Sequence, residues 1–426
     1  MTLDPRHADQ VAVVENYFRV GAYRTTLVLS TGFGKSKIGI DILKHKQPKK
    51  IIILVNSTLL RDTNWEVEFK KFNAMDLFAR TELHTYQAAY RWKKEDVDLT
   101  DTFVLADEVD FAADTPELSK FFYEFSDVEI LALTGFITDG KKEWFAKHLP
   151  VLQTLSAADA QKKNILNKIH YIYVKYDIST NSNDVVVEYV KSGKKKSFTQ
   201  SENNAYDYAN KKVQMLSVEQ STVQADFLKG DISHEEYTSK LKSIEYKMRM
   251  ATNARTDVLL HSKSSSRIAK KLVEHILAEP ENKVIVFSKR VKQSGAICGN
   301  NVYNGSVTPK KAAENFQNFQ TGEIRALGVC DKVNRGANIN GLNNAILETY
   351  FGSDTQAVQK FGRLMRLHPD AIATVYVLLP YYMRKEKDNK FTLQETQQVS
   401  WARNMLRSTD INSSTIWDYR VVKEQK

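Results

Sequence analysis

Cysteine is nearly absent: the chain has only Cys298 and Cys330, neither of them in a Cys-x-x-Cys or Cys/His cluster. A disulfide framework and a structural zinc site are therefore not expected, and both residues read as buried free thiols. No apolar run approaches the ~18 residues that would suggest a membrane span. The opening MTLDPRHADQ has no basic stretch followed by an apolar core, so no secretory signal is expected and the expectation is a cytoplasmic protein. There is no internal repeat, and the only low-complexity tract is the short KSGKKK at 191–196. What is present is the composition of a soluble globular protein, 42% hydrophobic and 26% charged. At 426 residues the chain can hold two or three domains. A net charge of +10 admits a polyanionic partner without requiring one.

The most informative stretch is LVLSTGFGKSKIGIDIL, residues 27–43, where an apolar strand passes through a Gly-containing turn into a helix. Gly32 and Gly34 let the backbone turn tightly enough for its N–H groups and the helix start to face one anionic group. Lys35 then supplies a mobile cation for β/γ-phosphates and Ser36 a hydroxyl for Mg²⁺. The full phosphate-loop signature would have Gly at position 29, where this chain has Leu29. An ordinary strand–turn–helix corner is the alternative reading. Gln10 upstream carries an amide that can donate and accept at once, as an adenine edge requires, or it is a solvated helix-end residue.

Further along, a buried strand at 103–106 ends in Asp107, Glu108, Val109 and Asp110. Adjacent acids after an apolar run are costly unless something pairs with them, and nucleotide-bound Mg²⁺ is a natural partner. Strands at 25–29, 51–55, 103–106 and 130–133 alternate with helices, which predicts an α/β lobe with a parallel sheet over residues 1–155. A second lobe is expected over 156–385, with strands at 169–176, 283–287, 326–329, 345–347 and 374–379. It is interrupted at about 178–260 by a hairpin, bearing Lys194, Lys195 and Lys196 near its tip, and two helices. The hairpin lysines read as a solvated loop or as a nucleic-acid contact. Residues 386–426 are expected to form a helical extension, with Trp401 and Trp417 packing helices.

TGFGKS, DEVD, LTGF, VIVFSK, VNRGANI and QKFGRLMR occur in the order and spacing of the motor core of superfamily 2 helicases and translocases, which the chain resembles over about 8–380. Helicase-type ATPases commonly write the phosphate loop without its first Gly. Within the superfamily the chain looks like phage-encoded DEAD/DEAH-type DNA helicases, including the branch-migration type. The resemblance implies two RecA-like doubly wound lobes. Thr31, Gly32, Phe33, Gly34, Lys35 and Ser36 would cradle ATP. Asp107 would be the magnesium acid, Glu108 the water-activating acid, and Asp110 with Thr134 a coupling pair. Arg363 and Arg366 would reach the γ-phosphate from the second lobe, with Gln359 helping to orient them, and Gly336 and Asn338 would couple to the nucleotide. DEVD is neither DEAD nor DEAH, and LTGF departs from the usual Thr-Ala-Thr or Ser-Ala-Thr, which puts the subfamily in doubt rather than the activity.

For the nucleic-acid path the same resemblance points to Ser57, Thr58, Thr85, Tyr86, Gln87, Ser288, Lys289, Asn304, Gly305 and Thr308. Hydroxyl, amide and backbone N–H groups suit phosphate contacts that ignore sequence. DNA is favoured over RNA, no membrane or metal beyond Mg²⁺ is implied, and the oligomeric state stays open, a monomer being compatible with the reading. A duplex translocase, an RNA helicase and an ATP-switched binding subunit with negligible turnover stay open as alternatives.

Overall fold

The computed structural model describes residues 7–56, 58–181, 185–191, 194–330, 341–349, 371–386, 390–408 and 413–418. The first lobe is built on six parallel strands: β1 (Arg24–Leu29), β2 (Lys50–Val55), β3 (Thr81–Thr85), β4 (Thr102–Asp107), β5 (Glu129–Thr134) and β6 (Val151–Leu155). They lie in the order β3-β2-β4-β5-β1-β6. Helices cover a parallel sheet on both faces, so its strands must be apolar throughout rather than alternating. The β2 run Ile51–Val55 meets that demand, with every residue buried. β3 and β6 were not foreseen in the sequence. Their burial is patchy because they are the two edges of the sheet, where an apolar run is not required.

Helices α1 (His7–Val20), α2 (Lys35–Lys46), α3 (Thr58–Lys71), α4 (Met75–Phe78), α5 (Tyr86–Ala89), α6 (Pro116–Glu124), α7 (Lys142–His148) and α8 (Ala157–Lys162) accompany this sheet. On one side the core is Leu27, Ile40, Ile53, Trp65 and Phe69, and on the other Phe121, Phe122 and Phe145.

A second sheet begins at β7 (Lys168–Asp177). Next comes the hairpin β8 (Val185–Lys191) and β9 (Lys194–Gln200), paired Lys191 to Lys194 at its tip. Two long helices follow, α9 (Glu202–Lys229) and α10 (His234–Leu260). Gly230, at φ 83°, ends α9, and the Ser233 hydroxyl caps α10 by accepting from the Glu236 N–H. Buried residues recur every seventh position on both helices, at Ala209, Leu216 and Val223 and at Ile244, Ala251 and Val258. That spacing is the seam of an antiparallel two-helix arm, roughly 40 Å long at 1.5 Å per residue.

After the arm come α11 (Lys263–Leu277), β10 (Val284–Ser288), α12 (Val291–Cys298), β11 (Val302–Tyr303), α13 (Pro309–Thr321), β12 (Ala326–Cys330), β13 (Asn344–Leu347), β14 (Ile372–Lys385), β15 (Phe391–Glu395), α14 (Gln397–Ser408) and β16 (Ser413–Asp418). The strand order is β11-β12-β10-β13-β14-β7-β16, all parallel, with β15 antiparallel on β14. The expected helical extension over 386–426 is corrected here. Among its described residues only α14 is helical; β15 and β16 join the second sheet, and Trp417 stands on an edge strand with its ring 5.5 Å from His275. The architecture is mixed α/β, two parallel-sheet domains of doubly wound RecA-like form. Among the described residues no helix is long and apolar enough to cross a membrane.

Candidate active site and strand-binding edge

The strand order sets the site. β5 lies between β1 and β4, so the turns after these three strands share the carboxyl edge of the first sheet, where open α/β sheets bind ligands. After β1, Gly32 and Gly34 adopt φ of 93° and 96°, which costs glycine little. Gly34 precedes α2 with no side-chain cap, leaving the helix start available to an anion. Gln10 is buried and its Nε2 donates to the Phe33 carbonyl at 2.7 Å. It therefore braces the loop from below. A Cβ on Gly34 would sit 2.5 Å from that nitrogen.

Phe33, expected in the loop that cradles the nucleotide, has its ring fully buried in the core, and its N–H donates to the Ser30 carbonyl at 3.2 Å. Its aromatic bulk anchors the loop to the apolar interior rather than facing a ligand.

At the end of β4, the Lys35 ammonium lies 3.5 Å from Glu108 Oε1, with both side chains largely buried. Glu108 itself is left-handed at φ 50°, an uncommon conformation for a non-glycine residue. Its Oε2 is buried with no hydrogen-bond partner. Burial and the neighbouring Glu108 push the Asp107 carboxyl well above the usual range, and Lys35 opposes the shift. This corner therefore holds more negative charge than Lys35 alone satisfies. Ser36 and Asp107 offer hard oxygen donors of the kind Mg²⁺ prefers.

From β5, the Thr134 hydroxyl donates to Asp110 Oδ1 at 2.9 Å, and both residues are buried. Lys141 adds a contact the sequence did not suggest, donating to the Asp110 carbonyl at 2.7 Å. Gly135 is a second such residue. A Cβ there would lie 3.3 Å from Thr31 Oγ1 and 3.4 Å from Lys35 Nζ, so any side chain would press on the lysine.

The expected strand contacts divide. Tyr86 is buried and its hydroxyl donates to the Asp107 carbonyl at 2.9 Å, so it supports the acid instead of meeting a ligand. Thr85 is also buried, and its hydroxyl caps α5 by accepting from the Ala88 N–H. Gln87 is exposed. In the second lobe Ser288 is buried at the end of β10 and Lys289 is partly exposed. Asn304 donates to Ser294 Oγ at 3.2 Å, Gly305 is exposed, and the Thr308 hydroxyl caps α13. Ser57, Gly336, Asn338, Gln359, Arg363 and Arg366 lie outside the described residues, as do the side chains of Thr58, Lys194, Lys195 and Lys196.

The carboxyl edge of the second sheet also holds Glu348, fully buried just after β13. Ser265 Oγ donates to its Oε1 at 2.5 Å and the Thr349 hydroxyl donates to its Oε2. Burial pushes its carboxyl up to about 7, against the pull of these hydroxyls. An unfolded glutamate titrates near ~4.3, so between that pH and about 7 the native state holds the extra proton. Its contribution to stability therefore falls as pH rises through that window, and the full cost is present above it. Relative to Glu348→Gln, the wild type is expected to lose about 2–3 kcal/mol of unfolding free energy between about pH 5 and about pH 8 in urea titrations. Parallel pH profiles for the two proteins would count against a buried titrating carboxyl.

Residues 267–368 match the model of the helicase conserved C-terminal domain, a segment that contains both VNRGANI and QKFGRLMR. No curated protein sequence matches the chain. Among solved structures, the chain is similar to the crystal structure of the Pyrococcus furiosus Hef helicase domain, with a TM-score of 0.47 and 13% identity over 87% of this chain and 94% of that one.

Proposed function

We propose that the protein is an ATP-dependent nucleic-acid motor of superfamily 2, a helicase acting on DNA. The observation that carries this reading is the convergence of Lys35, Glu108, Asp107 and the Thr134–Asp110 pair at three adjacent strand ends, on a chain whose second lobe matches a helicase C-terminal domain. The phosphates of ATP would lie against the start of α2 and the Lys35 ammonium. Ser36 and Asp107 would hold Mg²⁺, which when bound supplies positive charge to the phosphate oxygens. Glu108 would orient the attacking water and take its proton, for which its unpartnered oxygen is available.

Arg363 and Arg366 would complete the site from the second lobe by stabilising charge on the transferring phosphoryl group. The Thr134–Asp110 bond would couple nucleotide state to the contacts made by the lobes, so that each cycle changes their spacing along a strand. Branch remodelling of the phage type is the finer form of this reading.

The test is ATP turnover by the purified protein, alone and with single-stranded DNA, duplex DNA, forked DNA or RNA. Stimulation by forked or branched DNA is the expected result. Stimulation by RNA alone would reassign the substrate, and nucleotide binding without turnover on any polymer would reduce the protein to an ATP-controlled binding subunit.

A further inference from the structure

Glu348 is an expensive residue where it stands. A carboxylate buried this fully is more costly than an apolar side chain of similar size, so packing alone does not account for it. Its surroundings show what it organises. Its N–H donates to the Phe287 carbonyl at 3.1 Å, and its own carbonyl accepts from Gln398 Nε2 at 3.3 Å. Ser265, which holds Oε1, sits in the first turn of α11. That turn is fixed in its own right: Glu202 accepts from Ser262 Oγ at 3.1 Å and from the N–H groups of Lys263 and Ser264 at 2.6 and 3.2 Å.

On the other side, Thr349 Oγ1 accepts the Lys289 N–H at 3.4 Å, while the Lys289 carbonyl accepts from Cys330 Sγ at 3.1 Å. The Lys289 residue is thus gripped from the ends of the two strands that flank β10. The Ser265 and Thr349 hydroxyls both donate to the Glu348 carboxyl, and above about pH 7, where that group is ionised, it can only accept. That obligation turns the lone pairs of Thr349 toward Lys289. A glutamine, with an acceptor at one end and a donor at the other, could not impose it on both hydroxyls.

We propose that Glu348 and Thr349 are positioning residues for strand binding: Glu348 orients the Thr349 hydroxyl, and that hydroxyl fixes the backbone of the Ser288–Lys289 turn where the second lobe meets a nucleic-acid backbone. The inference rests on the helicase reading above. It assigns these residues no contact with nucleotide.

The test is binding of fluorescein-labelled oligo-dT by anisotropy, together with ATP turnover as oligo-dT and ATP are varied separately, for the wild type, Thr349→Val, Thr349→Ser and Glu348→Gln. The Val and Gln variants are expected to raise the oligo-dT concentration for half-saturation by about three- to tenfold, the size of one lost hydrogen bond. The KM for ATP and the fully stimulated rate stay at wild-type values, and Thr349→Ser, which keeps the hydroxyl, restores oligo-dT affinity. Unchanged oligo-dT affinity in Thr349→Val would overturn the proposal. So would a parallel loss of ATP and oligo-dT affinity, because a general loosening of the fold moves both. A wild-type protein that binds no DNA or RNA would overturn the helicase reading itself, and the inference with it.

Discussion

Glu108→Gln is expected to lower nucleic-acid-stimulated ATP turnover by about 10²- to 10⁴-fold while ATP still binds. The substitution keeps the shape of a largely buried side chain and removes only its ability to take a proton. The left-handed backbone at Glu108 and the support of Tyr86 beneath Asp107 hold the two acids in place, so a glutamine should occupy the same position. Lys35→Ala should differ in kind, because it takes away the cation that receives the phosphates and also the partner 3.5 Å from Glu108 Oε1. It is expected to weaken nucleotide binding itself. Phosphate release under saturating ATP, beside equilibrium binding of a fluorescent ATP analogue, separates the two effects. Turnover in Glu108→Gln within about threefold of wild type would place water activation on another group.

Glu202→Ala is expected to cost about 3–5 kcal/mol of unfolding free energy. This carboxylate is 2% exposed and accepts from four donors: the N–H groups of Lys263, Ser264 and Ser179, and the Ser262 hydroxyl. Two helix N-termini, those of α9 and α11, converge on it, and a negative charge there is favoured by both helix dipoles. Alanine removes every one of those acceptor sites at once and leaves buried donors without partners. Glu202→Gln keeps one acceptor oxygen and should cost less. Urea unfolding measures the loss, and faster amide exchange at Lys263 and Ser264 would locate it. A loss below about 1 kcal/mol would mean that water or neighbouring hydroxyls take up the donors.

Much of the fold was legible because its determinants are local. A strand buried on both faces must be a continuous apolar run, as at Ile51–Val55. A phosphate loop needs glycine where φ is positive, as at Gly32 and Gly34. The acids at Asp107 and Glu108 could be singled out because two carboxylates directly after an apolar strand demand a partner. Glu348 follows its own apolar strand in the same way, yet a single acid before Thr349 resembles an ordinary strand end.

What sequence alone could not settle was set by pairing between distant segments. Thr-Tyr-Gln at 85–87 reads as a polar loop; only the sheet order, with β2 between β3 and β4, brings the Tyr86 hydroxyl to the Asp107 carbonyl. Ser-Ser-Thr-Ile-Trp-Asp at 413–418 becomes a strand by pairing with β7, more than two hundred residues earlier, and as an edge strand it needs no apolar run to mark it. Glu202 and Glu348 lie far apart in the chain and meet opposite ends of one serine-rich turn. Periodicity, turns and caps are short-range physics and are written in short stretches of residues. The burial of a charge, and the hydroxyls and amides that make it tolerable, exist only once the sheets have closed around it.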